Sequence, residues 1–412
     1  MRRSPARPIM VVAATITLLV FAFPVPLADL GPGPTFYYRL IVYPADVTLT
    51  VAALAAIAAL LARGPRPGTG TTLLFALTAS LAVALVFHPS AQGLQTVARF
   101  AGATALSYGL SRLGRDERIL PAAMLGLVSL AEVGLGLGQM VRGAPLGLPS
   151  FGEVADPLLL YGSVASPRGT LHALPLLAGL GLVAAPLLVR EGLERVRATV
   201  FFAAGGLAAA LVGMTFSRGA ALGLALAVAA LVAGLGTDRR RVMRAAACLV
   251  IGAAIPAALF FDGWQHRATL SVSGRDTITE QAWTLIAEAP LTGVGPGRSV
   301  FALAERFPDP PRFGYQPGHA LPLVAAVEGG VIGGALAVAL LVTLGWRARR
   351  DLRAVAIFVA FLPAVLTDHY TYTYLQGQVL LAIWVGTLDG LAADPSAALG
   401  LDPRLRRLLP RA

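Results

Sequence analysis

The sequence predicts an all-α protein that crosses a membrane about twelve times. Three observations predict it. Only 13% of the 412 residues are charged while 56% are hydrophobic, about half the charge of an ordinary soluble chain. Apolar runs near 20 residues recur along the whole chain, the length a helix needs to cross a hydrocarbon core about 30 Å thick. The arginines, finally, gather in every second connection between those runs, the asymmetry expected of cytoplasmic loops. The alternation over about ten residues that marks an outer-membrane barrel strand is missing.

The first run, about 8–27, follows Arg2, Arg3 and Arg7. That order also suits a signal peptide, but the run is long and no small-x-small cleavage site closely follows it, so it is read as a span. A hinge with Pro24, Pro26, Gly31, Pro32, Gly33 and Pro34 comes next. Further spans are expected at about 43–62, 71–88, 92–111, 119–138, 171–189, 198–216, 219–236, 245–261, 320–344, 354–368 and 377–391. The stretch around Ser217 is divided because one helix of about 38 residues would be about 57 Å long, far thicker than a bilayer core. Gly205–Gly206, Gly329–Gly330 and Gly333–Gly334 read as close helix packing.

With the N-terminus inside, 23 of the 33 basic residues, all of them Arg, fall on inner segments. Both termini are then cytoplasmic, and residues 1–412 form one integral membrane domain. Residues 262–319 form an extracytoplasmic loop subdomain between helices 9 and 10. The net charge of +11 lies in short turns rather than in one patch, so a nucleic-acid partner is not expected. The single Cys248 excludes an internal disulfide. His88, His172, His266, His319 and His369 lack metal-ligand spacing. No nucleophile elbow, P-loop or dinucleotide fingerprint is present, and no cofactor is expected.

The long loop carries structure signals of its own. Ser273 or Asp276 can cap a helix on which Ile278, Ala282, Leu285 and Ile286 share one face, with Trp283 beside them at headgroup level. Pro290, Gly293 and Gly295 end it. A second short helix is expected over about 299–306, before Phe307-Pro308-Asp309-Pro310-Pro311.

Ten arginines lie outside or within a span: Arg39, Arg99, Arg142, Arg168, Arg218, Arg267, Arg275, Arg298, Arg306 and Arg312. Most suit solvated loop positions. Arg218 has almost no loop around it. Either it snorkels to headgroups, or its planar fork and the helix N-terminus at Gly219 form an anion site. Arg275 is a solvated residue near a helix start or a second anion ligand. His319, at the mouth of span ten, is a hydrogen-bonded interface residue or a base working near neutral pH. Glu328, inside that span, must be protonated, paired or cavity-facing. Asp368, before an aromatic belt of Tyr370, Tyr372 and Tyr374, can orient a base or an Arg. Ser217, Arg168 and Arg298 complete the candidate substrate-binding set.

Taken together, these residues resemble the O-antigen ligase/polymerase superfamily. The resemblance rests on the Ser217-Arg218-Gly219 turn, the outer loop with Arg275, Trp283 and the run from Ala287 to Gly297, and His319 followed by Glu328-Gly329-Gly330 and Gly333. It implies a metal-independent glycosyltransferase of the bacterial inner membrane. Such an enzyme moves or polymerises glycan from undecaprenyl diphosphate onto a glycan, lipid or protein hydroxyl at the periplasmic face. It implies Arg218 and Arg275 as the essential cations, His319 as the essential loop histidine and Asp368 as a supporting carboxylate. The alternative is a flippase or transporter of lipid-linked oligosaccharide. Such carriers usually show repeat-related halves and charged helices at mid-membrane.

Overall fold

A computed structural model of the chain describes residues 6–21, 26–30, 40–61, 66–114, 116–142, 146–148, 174–234, 238–261, 264–265, 275–309 and 315–393. Arg39, Arg168, Arg267 and Arg312, the alternative cap Ser273 and the C-terminal arginines lie outside the described residues. Apart from one antiparallel pair of two-residue strands, Ala28–Asp29 with Ile41–Val42, the described secondary structure is helical.

A helix occupies each of the twelve predicted apolar runs. These are α1 (Ala6–Val20), α2 (Pro44–Leu61), α3 (Thr69–Phe87), α4 (Ala91–Ser111), α5 (Ile119–Arg142), α6 (Leu174–Glu194), α7 (Ala198–Met214), α8 (Arg218–Ala233) and α9 (Arg239–Leu259), followed after the long loop by α12 (Leu321–Ala348), α13 (Leu352–Thr367) and α15 (Leu375–Ala392). The loop holds α10 (Arg275–Glu288) and α11 (Ser299–Arg306), and the four-residue α14 (Tyr370–Thr373) separates the last two long helices. Among the described residues seven helices, α2, α3, α5, α6, α9, α12 and α15, are long and apolar enough to cross a membrane. Helices α1, α7, α8 and α13 are apolar but shorter. Large apolar side chains on the longer helices, such as Leu54 of α2, Phe75 of α3, Val250 of α9 and Val342 of α12, are exposed. Surfaces of that kind suit lipid rather than water, and the protein is a multi-pass membrane protein.

Helix starts differ from the expected edges where a capping group intervenes. Helix α9 begins at Arg239, ahead of its expected start, because the Asp238 carboxylate accepts the Arg241 N–H (3.2 Å). The break between α7 and α8 is as expected, and it is sharp. Phe216 stands at φ 53° with its ring fully buried, a conformation that bulky residues avoid. Trp264 meets that ring edge-on at 6.0 Å and donates its indole N–H to the Gly213 carbonyl (3.1 Å). Ser217 then caps α8, its Oγ accepting the Ala220 N–H (3.2 Å).

The chain divides into two compact units. The first comprises Met1–Leu110, Leu270–Thr343 and Val365–Gly386; the second comprises Ser111–Thr269, Leu344–Ala364 and Thr387–Ala412.

In the first unit, polar groups tie α4 to its neighbours. Thr78 and Thr104 hydroxyls meet at 3.1 Å, and Thr71 and Ser107 hydroxyls at 3.0 Å. Arg99, one of the arginines the positive-inside rule disfavours, has a structural reason. Its guanidinium forks onto Asp46 (Nε–Oδ1 2.8 Å, Nη2–Oδ2 2.9 Å) and donates to the Ile41 carbonyl (2.6 Å). The pair is nearly buried, the side chains being 11% and 18% exposed. Arg99, Thr104 and Ser107 also lower the hydropathy of α4, which is not among the seven described helices long and apolar enough to cross a membrane.

In the second unit, α7 packs against both α6 and α9, and α5 against α6 and α7. Gly206 supplies the close approach expected of it, since a Cβ there would stand 2.8 Å from the Cys248 carbonyl of α9. Several arginines counted as cytoplasmic are paired. Arg190, 3% exposed, bridges Glu194 (2.8 Å) and Glu191 (3.3 Å); Arg195 reaches Glu191 (3.1 Å) and Arg353 reaches Glu194 (3.5 Å).

Removing one partner of a buried ion pair leaves an uncompensated charge. Arg99→Leu is therefore expected to cost about 3–5 kcal/mol of stability, read by unfolding of the purified protein in detergent. The double variant with Asp46→Asn should recover much of the loss. A wild-type melting curve for Arg99→Leu would show that the pair contributes nothing.

Candidate functional site

Helix α12 is broken, and the break organises the outer loop. At Gly330 the backbone turns to φ 68°, ψ −174°, a conformation open to glycine alone at no steric cost. In an unbroken helix the Val331 N–H would donate to the Val327 carbonyl four residues back. Here Val331 donates instead to the Pro290 carbonyl (2.8 Å), and the vacated Val327 carbonyl accepts the Val294 N–H (2.8 Å). The turn after α10 has thus entered the helix and taken over both orphaned groups. A Cβ at Gly330 would collide with the Leu291 carbonyl, and one at Gly293 with the Val327 carbonyl. Gly330, expected to serve helix packing, therefore serves a chain crossing, whereas Gly329 faces Leu81 of α3 and does serve packing.

Glu328 completes this interlock. It is fully buried, and of the three options open to a carboxylate in a span it takes pairing. Oε2 accepts the Gly297 N–H (2.6 Å) and Oε1 the Ser299 N–H (3.1 Å) at the start of α11. Both oxygens are thereby engaged by the chain's own backbone. Around this clamp, Ala282, Leu285 and Ile286 of α10 join Leu303 of α11 and Val327 of α12 in one apolar cluster. The face expected on α10 is the buried one, Ile278 included, and Trp283 is exposed. Arg306 ties α11 back to Glu288 (2.8 Å). Arg298 lies on the rim, 3.6 Å from Glu305.

His319 sits half-buried just before α12, and a second histidine stands beside it. The His319 and His369 rings meet edge to face, 5.4 Å between centroids at 74°. His369 is only 6% exposed, its Nδ1 lies 2.9 Å from the Thr373 hydroxyl, and its ring stacks with Tyr374 at 6.3 Å. Asp368 reaches this group through the backbone: Oδ1 accepts the N–H of His369 (2.8 Å) and of Tyr370 (3.3 Å). Burial, with the Asp368 carboxylate adding to it, pushes the Tyr370 hydroxyl well above its ordinary value, so Tyr370 stays neutral. The fully buried Tyr372 packs on Phe100 at 5.0 Å.

The structure thus brings His319 and Asp368 to one cluster through His369, and brings Glu328 to the backbone on either side of Arg298. Arg275 is the first residue of α10. Ser217 and Arg218 belong to the second unit, where Ser217 caps α8 and Arg218 is its exposed first residue. The sequence places His369 next to Asp368 but carries no signal pairing it with His319. Between α10 and α11 an open cleft of about 290 Å³ is bordered by Leu285, Glu288, Val294, Ala302, Glu305 and Arg306, among others. None of the candidate residues lines it. Among the described residues no three or more His, Cys, Asp or Glu side chains come together as a metal site.

Residues 203–338 match the model of the O-antigen ligase family. The window covers about a third of the chain and runs from α7 into the second half of α12. It contains Ser217, Arg218, Arg275, Arg298, His319 and Glu328, whereas Asp368 and His369 lie beyond it. No curated protein matches the chain.

Two buried N–H groups depend on one carboxylate, and each donor left without a partner costs about 1–3 kcal/mol. Glu328→Ala is expected to lower stability by the sum of two such terms. Glu328→Gln, with one acceptor oxygen, should lower it by about half as much. Unfolding in detergent, together with limited proteolysis over 289–299, measures both. Stability and protection equal to wild type in Glu328→Ala would refute the clamp.

Proposed function

We propose that this chain, assigned to the O-antigen ligase/polymerase superfamily through residues 203–338, is a membrane glycosyltransferase. In this reading it moves glycan from a lipid diphosphate to an acceptor hydroxyl. The donor is an undecaprenyl diphosphate-linked glycan, the acceptor a glycan, lipid or protein hydroxyl, and the reaction metal-independent. Twelve spans with cytoplasmic termini, as the arginine pattern suggests, would put 262–319 on the periplasmic side of the inner membrane. The observation that carries the reading is the family match, whose window holds Arg218, Arg275 and His319 in the order the resemblance requires.

The chemistry follows from the groups involved. The acceptor oxygen attacks the anomeric carbon, the bond from that carbon to the phosphate oxygen breaks, and the diphosphate leaves on its lipid. Negative charge grows on the leaving oxygen, and Arg218 and Arg275 neutralise it. The hydroxyl proton passes to His319 as general base. A single displacement of this kind inverts the anomeric centre. Ser217 supports Arg218 by capping the helix that Arg218 begins. Glu328 acts by holding the turn that carries Arg298 against α12. Arg298 and Arg168 are assigned to contacts with the glycan or its diphosphate.

Arg218→Ala, Arg275→Ala and His319→Ala are each expected to abolish transfer while the protein persists at normal levels. Loss of a positioned base alone costs about 10²–10⁴-fold in rate. Purified protein incubated with a lipid-diphosphate glycan and candidate acceptors, with products identified by mass, is the decisive assay. Full activity in all three variants, or movement of the lipid-linked glycan across vesicles with no transfer product, would overturn the assignment in favour of a transporter.

A further inference from the structure

We infer that His369 is the positioning residue for His319, and that Asp368 acts through His369 rather than on the substrate; this rests on the reading of His319 as the base. The need for such a residue is local. His319 lies in the irregular stretch 315–320 ahead of α12, so no helical turn restricts its ring. A misplacement of about 1 Å at a reacting group costs roughly 10²-fold in rate. The ring of His369 supplies a wall, edge to face at 5.4 Å.

His369 can serve as a wall because its own position is over-determined. Its ring is buried, stacked with Tyr374 and bonded through Nδ1 to the Thr373 hydroxyl (2.9 Å). That hydroxyl has one proton and the His369 carbonyl 3.3 Å away to receive it. With the proton so committed, the Thr373 oxygen is left to accept from Nδ1–H, which fixes the ring's orientation. The His369 carbonyl also accepts the N–H of Tyr372 (2.9 Å) and of Thr373 (3.1 Å), closing α14 as a compact turn. Asp368 starts that turn by accepting the N–H of His369 and Tyr370 on one oxygen, the Asx arrangement that Asp and Asn both form. The carboxylate is thus three steps from His319: it orders the turn, the turn fixes His369, and His369 fixes the base. A capping role needs the oxygen and not the charge.

The test measures transfer by the purified full-length protein in detergent, with a lipid-diphosphate glycan as donor and a defined acceptor alcohol. His369→Ala is expected to lower kcat about 10²-fold with the donor KM unchanged. His369→Phe, which keeps an aromatic ring against His319, should restore most of that loss. Asp368→Ala should behave as His369→Ala does, and Asp368→Asn, still able to cap, should lose far less. Where the alanine variants fail to fold, His369→Phe and Asp368→Asn, which preserve the packing, are compared directly with wild type. Both should then keep most of the wild-type kcat, and a loss of about 10²-fold in either overturns the proposal. Full kcat in His369→Ala, no rescue by His369→Phe, or equal loss in Asp368→Asn and Asp368→Ala each overturns it as well. His319→Ala separates the two levels. Activity in that variant removes the base assignment itself, whereas inactivity there with full activity in His369→Ala removes only the positioning role.

Discussion

The outer part of this protein depends on an exchange of two backbone hydrogen bonds. Helix α12 gives up its bond from Val331 to Val327, and the turn after α10 takes both ends, through Pro290 and Val294. A backbone N–H or carbonyl without a partner is costly wherever water is excluded, and most costly at membrane depth. A broken helix is tolerated there only when another segment supplies the missing groups. The turn and the break therefore form together or not at all. Glu328 extends the same logic to the start of α11 by engaging two more N–H groups with one carboxylate. The loop between α9 and α12 is in this sense part of the helix it precedes.

The electrostatics follow a similar rule. Charge inside an apolar protein persists where it is paired or hydrogen-bonded. Arg99 is held by Asp46, Arg190 by Glu191 and Glu194, and Arg306 by Glu288. Arg99 and Arg190, which look alike as a violation and a marker of the charge rule, are thus structural, whereas the Arg306–Glu288 pair is exposed at the surface. The proposed diphosphate ligands are drawn from elsewhere, from the first residues of two helices, α8 and α10, where the partial positive charge of the helix end favours an anion.

Some of this was legible in the chain. The helices were, because an apolar run near 20 residues has few stable alternatives to a helix in lipid. Helix α11 and the buried face of α10 were also legible, since both depend on periodicity and on nearby Pro and Gly. The Ser217 turn was, because an uninterrupted helix there would be too long. The partners of the polar groups on α4 were not legible, since Arg99 and Thr104 meet Asp46 and Thr78 only across helices. Glu328 was recognisable as a carboxylate in need of a partner, but its partners are backbone groups of Gly297 and Ser299, which no side-chain pattern announces. His369 was visible beside Asp368, yet nothing in its spacing from His319 indicates that their rings touch.

The sequence by itself determined the all-α class, the helical runs, the family resemblance and the short list of arginines and histidines worth testing. All of these rest on local periodicity, hydropathy and residue chemistry, which act over a few turns of chain. Tertiary structure decided that α12 breaks at Gly330, that Glu328 accepts the Gly297 and Ser299 N–H, and that His319 meets His369. The Gly330 break, the acceptance of the Gly297 and Ser299 N–H by Glu328 and the His319–His369 contact depend on which distant groups satisfy an orphaned donor, acceptor or ring face, and a burial cost of that kind selects its partner only once the chain has brought the candidates together.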